Sequence, residues 1–258
     1  NEAYNPATNT WATKANVPTR RGEPGCGAVE GIVYVVGGRD YATGDECTKN
    51  EAYNPATNTW ATKASMPTKR KRVGVGVAAG IMYAVAGSSY PTDPSANEAY
   101  NPATNTWAIK AAIPTQRYGL AIGAIDGMVY VVGGTAGGGD FKDANEAYNP
   151  ATNTWATKAP IPTGAEGLIG GVVNGNLHVM GFGYPRKEHI AYDPRSNSWT
   201  TMEDMPTERV VAASGVIDDA MYVVGGWDDG PIGLNETYEP HYPIIDGLEA
   251  LLGWLATR

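Results

Sequence analysis

The stretch NEAYNPATNTWATKA, residues 1–15, returns unchanged at 50–64 and 145–159, and at 97–111 with Ile109 in place of a Thr. NEAYN and TWATKA are short strand-like runs. Between them, Pro-Ala-Thr-Asn favours a turn through its fixed φ and its side-chain hydrogen bonding. The motif therefore reads as a hairpin written four times. Its Trp column runs on into a fifth, more divergent copy: Trp11, Trp60, Trp107, Trp155 and Trp199 are 49, 47, 48 and 44 residues apart. A period in this range signals one supersecondary unit copied many times.

The intervening segments supply two more strands each. In the second unit these are VGVGVA (73–78) and GIMYAVAG (80–87), joined by a tight Gly-bearing turn. Register is fixed by Pro18, Pro67, Pro114, Pro162 and Pro206. Nine residues after each stands Gly27, Gly76, Gly123, Gly171 or Gly215, and ten further on a Gly-Gly-like pair. A Gly recurring inside strands implies close backbone approach, as the innermost strands of a radial array demand. Four strands a, b, c and d per unit, with no helical pattern until the tail, define an all-β chain.

Arg early in strand a, YVVGG ending strand b, AYNP on strand c and TW opening strand d resemble the kelch repeat. The resemblance covers residues 1–240. It implies a β-propeller of four-stranded antiparallel blades, with strand a innermost. It also implies that Tyr34, Tyr83, Tyr130 and Tyr222 of strand b, and the Trp of strand d, pack between blades. Five a–b pairs give five blades. Closure is expected from the hairpin 1–15 joining 207–226, with LNETYEP (234–240) as a rival copy of strand c. In the tail, 241–258, Asp246 and four Leu at helical spacing predict a short C-terminal helix.

Strands that alternate in direction put the d–a and b–c connections on one face and the monotonous c–d turns on the other. All the sequence diversity lies on the first face. Three residues after the shared Pro stand Arg21, Arg70, Arg117, Ala165 and Arg209, and blade two adds Lys69, Lys71 and Arg72. Converging Arg suits carboxylate or phosphate recognition. The b–c loops carry Tyr41, Tyr90, Phe141, Tyr184 and Trp227, rings that give contact area at low entropic cost. The resulting expectation is a non-catalytic scaffold that binds an acidic peptide, a protein or another anionic ligand at this face. A second reading is an enzyme resembling the kelch-like sialic-acid mutarotases, binding an acidic sugar with Glu23 and Glu166 as acid and base. A third is a recently amplified or designed repeat with no specific ligand.

Other chemistries find little footing. The net charge of −8 argues against nucleic acid, and no stretch reaches the length of a membrane helix. Three His that do not converge and no recognisable Asp-loop spacing give no metal site, so no cofactor is expected. A kelch-like copper oxidase would need two His beside Cys26. Cys26 and Cys47 are expected to be reduced or incidental. Residue 1 falls at the start of a repeat, as in a chain cut from a longer one. Dimers through the tail or a swapped N-terminal hairpin are the remaining partner expectation.

Overall fold

A computed structural model describes residues 1–91, 93–182 and 186–239. The chain is a β-propeller of five blades. Blade one consists of Gly25–Val29, Ile32–Val36, Asn50–Asn54 and Thr59–Thr62, as strands a to d in that order across the sheet. Blade two repeats it with Gly74–Ala78, Ile81–Val85, Asn97–Asn101 and Thr106–Lys110. Blade three uses Ala121–Ile125, Met128–Val132, Asn145–Asn149 and Thr154–Lys158. Blade four uses Ile169–Val173, Asn176–Phe182, Glu188–Asp193 and Ser198–Thr201. Blade five has three described strands, Ala213–Ile217, Ala220–Val224 and Asn235–Tyr238. Register is conserved: Tyr faces Trp across each outer pair, as in Tyr53 with Trp60 and Tyr148 with Trp155.

The Gly column lets the blades approach. A Cβ on Gly76 would lie 2.9 Å from Val129 of the next blade, and one on Gly123 would lie 2.6 Å from Val172. Side chains from the two inner strands of one blade thus press on the bare inner backbone of its neighbour. The core is a set of apolar seams between blades. One, between blades one and two, gathers Val36, Met66, Val73, Met82 and Tyr100. The expected packing of strand-b Tyr holds: Tyr34, Tyr83 and Tyr130 each lie 5.5–5.7 Å from the strand-c Tyr of the following blade. The indole N–H of Trp107, Trp155 and Trp199 donates to Ala64, Ala111 and Ala159 of the preceding blade at 2.7–2.8 Å.

Strand pairing at the two ends differs from the expectation. Asn235–Tyr238, not the N-terminal hairpin, lies beside strand b of blade five. Its Glu236 is held by Arg209 and, at 2.5 Å, by the Thr207 hydroxyl, contacts that fix this copy in the slot. Among the described residues the hairpin Glu2–Asn5 and Thr10–Thr13 pairs only with itself. The expected C-terminal helix falls outside the described residues.

Candidate functional site

The four Arg expected to line the mouth point into the blades instead. Arg21, Arg70, Arg117 and Arg209 pair with Glu51, Glu98, Glu146 and Glu236 on strand c of their own blades, and none of these Arg side chains is more than 1% exposed. Arg70 also donates to the carbonyls of Thr68 and Ala84 at 3.2 and 2.9 Å, and the Thr68 hydroxyl reaches the second Glu98 oxygen at 2.6 Å. Burial lowers the pKa of Arg70 and Arg117, while the facing carboxylates pull it back up. No ligand reaches these groups. They tie the d–a connection to the sheet.

Blade four shows the logic in reverse. Its Arg column holds Ala165, and its Glu column holds Ile190, both buried. The ion pair has been exchanged whole for an apolar pair, so no charge is left buried alone. His189, in the column where other blades have Asn, keeps that Asn's hydrogen bond: its Nδ1 lies 3.0 Å from Glu203 O, as Asn145 Nδ2 lies 3.1 Å from Ala159 O. A carbonyl can only accept, so Nδ1 of His189 carries the proton. Nε2 of His189 therefore accepts from Nδ1 of His178, 2.8 Å away, so two of the three His do meet, contrary to the expectation from the sequence. Burial drives both imidazoles down to about 4.

Access to ligand lies elsewhere on the expected face, in a basin of about 970 Å³ that draws residues from all five blades. Arg72 and Glu23 stand on one side, Phe141, Glu166 and Arg186 on others, and Leu120, Leu168, Phe182, Val210 and Val211 form apolar wall. The fifth residue after each shared Pro sets its rim: Glu23, Arg72, Gly119, Gly167 and Val211 all have φ between 51° and 70°. This left-handed turn aims backbone groups sideways. Arg72 N donates to Glu23 O, Gly167 N to Gly119 O and Val211 N to Gly167 O, each at 2.8 Å. Left-handed backbone is costly for a β-branched residue such as Val211, and strain of this kind gathers at functional rims.

Charges in the basin are mixed. Arg72 Nε bonds Glu23 at 2.5 Å, Lys71 Nζ bonds the other oxygen at 2.8 Å, and the Arg72 guanidinium lies 5.4 Å from the Tyr118 ring centre. Burial raises the Glu23 carboxyl, but the hydrogen bonds and charges of Lys71 and Arg72 outweigh it and hold the group below its ordinary pKa. Glu166 is half-buried, and Arg186 is exposed. Neither side chain has a hydrogen-bond or ion-pair partner among the described residues, although the Arg186 carbonyl accepts from Arg209 N at 3.1 Å. Of the expected aromatics, Phe141 lines the basin. Tyr41, Tyr90 and Trp227 are exposed on loops outside its lining, with Arg20 stacked 5.5 Å from Tyr41. Tyr184 falls outside the described residues. Arg186 and the Glu partners of the buried Arg were missed in the sequence. The signal for the Glu partners was present, since Arg and Glu disappear together in blade four.

Cys26 and Cys47 are both free. Among the described residues no cluster of His, Cys, Asp and Glu is placed to hold a metal ion, and no helix is long and apolar enough to cross a membrane.

The kelch motif family matches residues 20–67 and 116–162, which are blades one and three with their connections. Two blades of the propeller are thus kelch motifs. A solved structure described as "Structure of YjhT" superposes with a TM-score of 0.77 at 17% identity, over 90% of this chain and 85% of that one. At that identity the likeness concerns the fold alone. No curated protein sequence matches the chain.

Proposed function

We propose that this kelch propeller is a binding scaffold whose ligand seats in the five-blade basin, an acidic peptide segment or other carboxylate-bearing ligand being the occupant that fits best. The supporting observation is Arg186, a cation without a protein partner among the described residues, on the lining of a concave, partly apolar surface. Arg72 reinforces it from blade two, although Glu23 neutralises part of its charge. Phe141 and the Val210–Val211 wall supply contact area, and Glu166 accepts a donor from the same ligand. The cations therefore come from Arg72 and Arg186, and the four structural Arg take no part.

A titration with a fluorescent Glu-rich peptide tests this. Arg72→Ala and Arg186→Ala should each weaken binding and flatten its salt dependence. Unchanged affinity in the double variant refutes the assignment. A second reading, a sugar-active enzyme, is favoured by one observation: Glu166 is a half-buried carboxylate without a partner among the described residues, in a basin that also holds Arg. Anomerisation of an acidic sugar above the buffer rate, lost in Glu166→Gln, would select that reading.

A further inference from the structure

Around the axis, one position is only half built. The hairpin 2–13 stands where strands c and d of a further blade would stand. Tyr222 of blade five packs on Tyr4 at 5.7 Å, as each strand-b Tyr packs on the next strand c. On the other side, the Trp60 indole donates to Ala15 O at 2.8 Å, as each later Trp does to the blade before it. Ala15 N in turn donates to Asn58 Oδ1 at 2.8 Å, repeating the Ala64–Asn105 contact. The hairpin therefore lies between blades five and one.

Among the described residues it has no strands a and b, and both walls of the gap show it. Gly215 is the one member of the inner Gly column at which an added Cβ would meet none of the described residues within 4 Å, whereas Gly171 would meet Met221 at 2.9 Å. The whole of Ala213–Ile217 is exposed, while the matching strands of blades two and three alternate between buried and half-buried. Cys26 and Ala28 of blade one are exposed where Val75 and Val77 of blade two press on their neighbour. Among the described residues Tyr53 has a ring contact only with Trp60, though Tyr100, Tyr148 and Tyr192 each stack on a strand-b Tyr as well. Glu2 is exposed and has no partner among the described residues, although Glu51, Glu98, Glu146 and Glu236 in the same column are each held by an Arg and a Thr.

We propose that this gap is a docking site for an inner β-hairpin of the chain's own a–b type, contributed by another polypeptide segment. The vacancy specifies the chemistry of its occupant. A Pro-Thr-X-Arg entry would close on Glu2 with both Thr and Arg. A branched apolar residue eight positions after the Pro would cover Gly215, and a Tyr sixteen after it would stack on Tyr53. These are the spacings by which Pro67, Val75 and Tyr83 serve blade two. The gap adjoins the basin, sharing Ala213 with its lining, but Glu2, Gly215 and Tyr53, which would recognise the hairpin, lie outside that lining.

The test titrates the full chain with a labelled peptide of the sequence 112–135, which carries every required residue. Saturable binding is expected, weakened by ~100-fold when the peptide carries Arg117→Gln or the protein carries Glu2→Gln, because one member of a buried ion pair is then left alone. Gly215→Leu should abolish binding while leaving the melting temperature of the free protein unchanged, since its side chain enters open space. Because a free peptide pays to order itself, the same sequence extended to 144 and joined ahead of Asn1 is the second measurement. It should raise Tm by about 4 °C or more, and Gly215→Leu should cancel the gain. No binding together with no gain in Tm overturns the proposal, as does binding that Gly215→Leu leaves intact. A dimer of the chain that the peptide cannot dissociate overturns it too, by giving the gap to a second copy.

Discussion

Removing Glu146 from blade three should be far more damaging than removing it together with Arg117. The Arg117 side chain is 0% exposed and that of Glu146 5%, and Arg117 also donates to Thr115 O and Val131 O at 2.7 and 2.9 Å. Glu146→Ile leaves the guanidinium buried without its counter-charge, at a cost of about 3–5 kcal/mol. Arg117→Ala strands the carboxylate and frees two carbonyls, at a similar cost. The double substitution Arg117→Ala with Glu146→Ile installs the pair that blade four already has in Ala165 and Ile190. It should cost no more than about 1–2 kcal/mol, because desolvation of two charges disappears along with their attraction. At ~2–4 °C per kcal/mol for a chain of this size, each single variant should melt roughly 6–20 °C lower and the double roughly 2–8 °C lower than the parent. Differential scanning calorimetry of the four proteins completes the cycle. Additive losses, or single variants within about 1 kcal/mol of the parent, would refute the view that blade four exchanges the two residues as a unit.

The His178–His189 pair makes stability depend on acid. In the folded state both hold their protons only below about 4, whereas an unfolded His binds one near its model value of 6.5. The unfolded chain therefore takes up more protons between these limits, and stability present above pH 6.5 falls progressively toward pH 4, by a few kcal/mol for the pair. His178→Tyr with His189→Asn, the residues of the other blades, should flatten urea-midpoint profiles across that window. Val211→Gly should raise stability by about 1 kcal/mol by relieving a left-handed φ of 51° at an exposed site, read as a higher urea midpoint. Arg186→Ala should weaken an acidic peptide by about tenfold at low salt and by much less at high salt, since the group is solvated. An equal loss at both salts would count against an electrostatic role.

Strand order and register were legible because they rest on local chemistry: Pro, Gly and Asn positions dictate turns, and the Tyr and Trp columns alternate with the pleat. The direction of a side chain leaving a connection was not legible. Arg70 and Arg72 are two residues apart in one basic run, yet one is sealed inside a blade and the other stands in the basin. What separates them is the left-handed turn at Arg72, a backbone state that the side-chain sequence KRKR does not announce. The closing strand was ambiguous for a related reason. NEAYNP and NETYEP carry the same Glu and Tyr, and only the reach of Arg209 and Thr207 to Glu236 distinguishes them.

Residues 1–15, 50–64 and 145–159 are interchangeable at the level of atoms. No seam can therefore tell one such outer pair from another by what it touches, and the order of units is carried by the short tethers and by the non-identical inner strands. For a newly made chain this means competing dockings of nearly equal energy, sorted by which pair is within reach first. It also makes the molecule tolerant of gaining or losing whole units, because every junction left behind would still meet a surface it already fits.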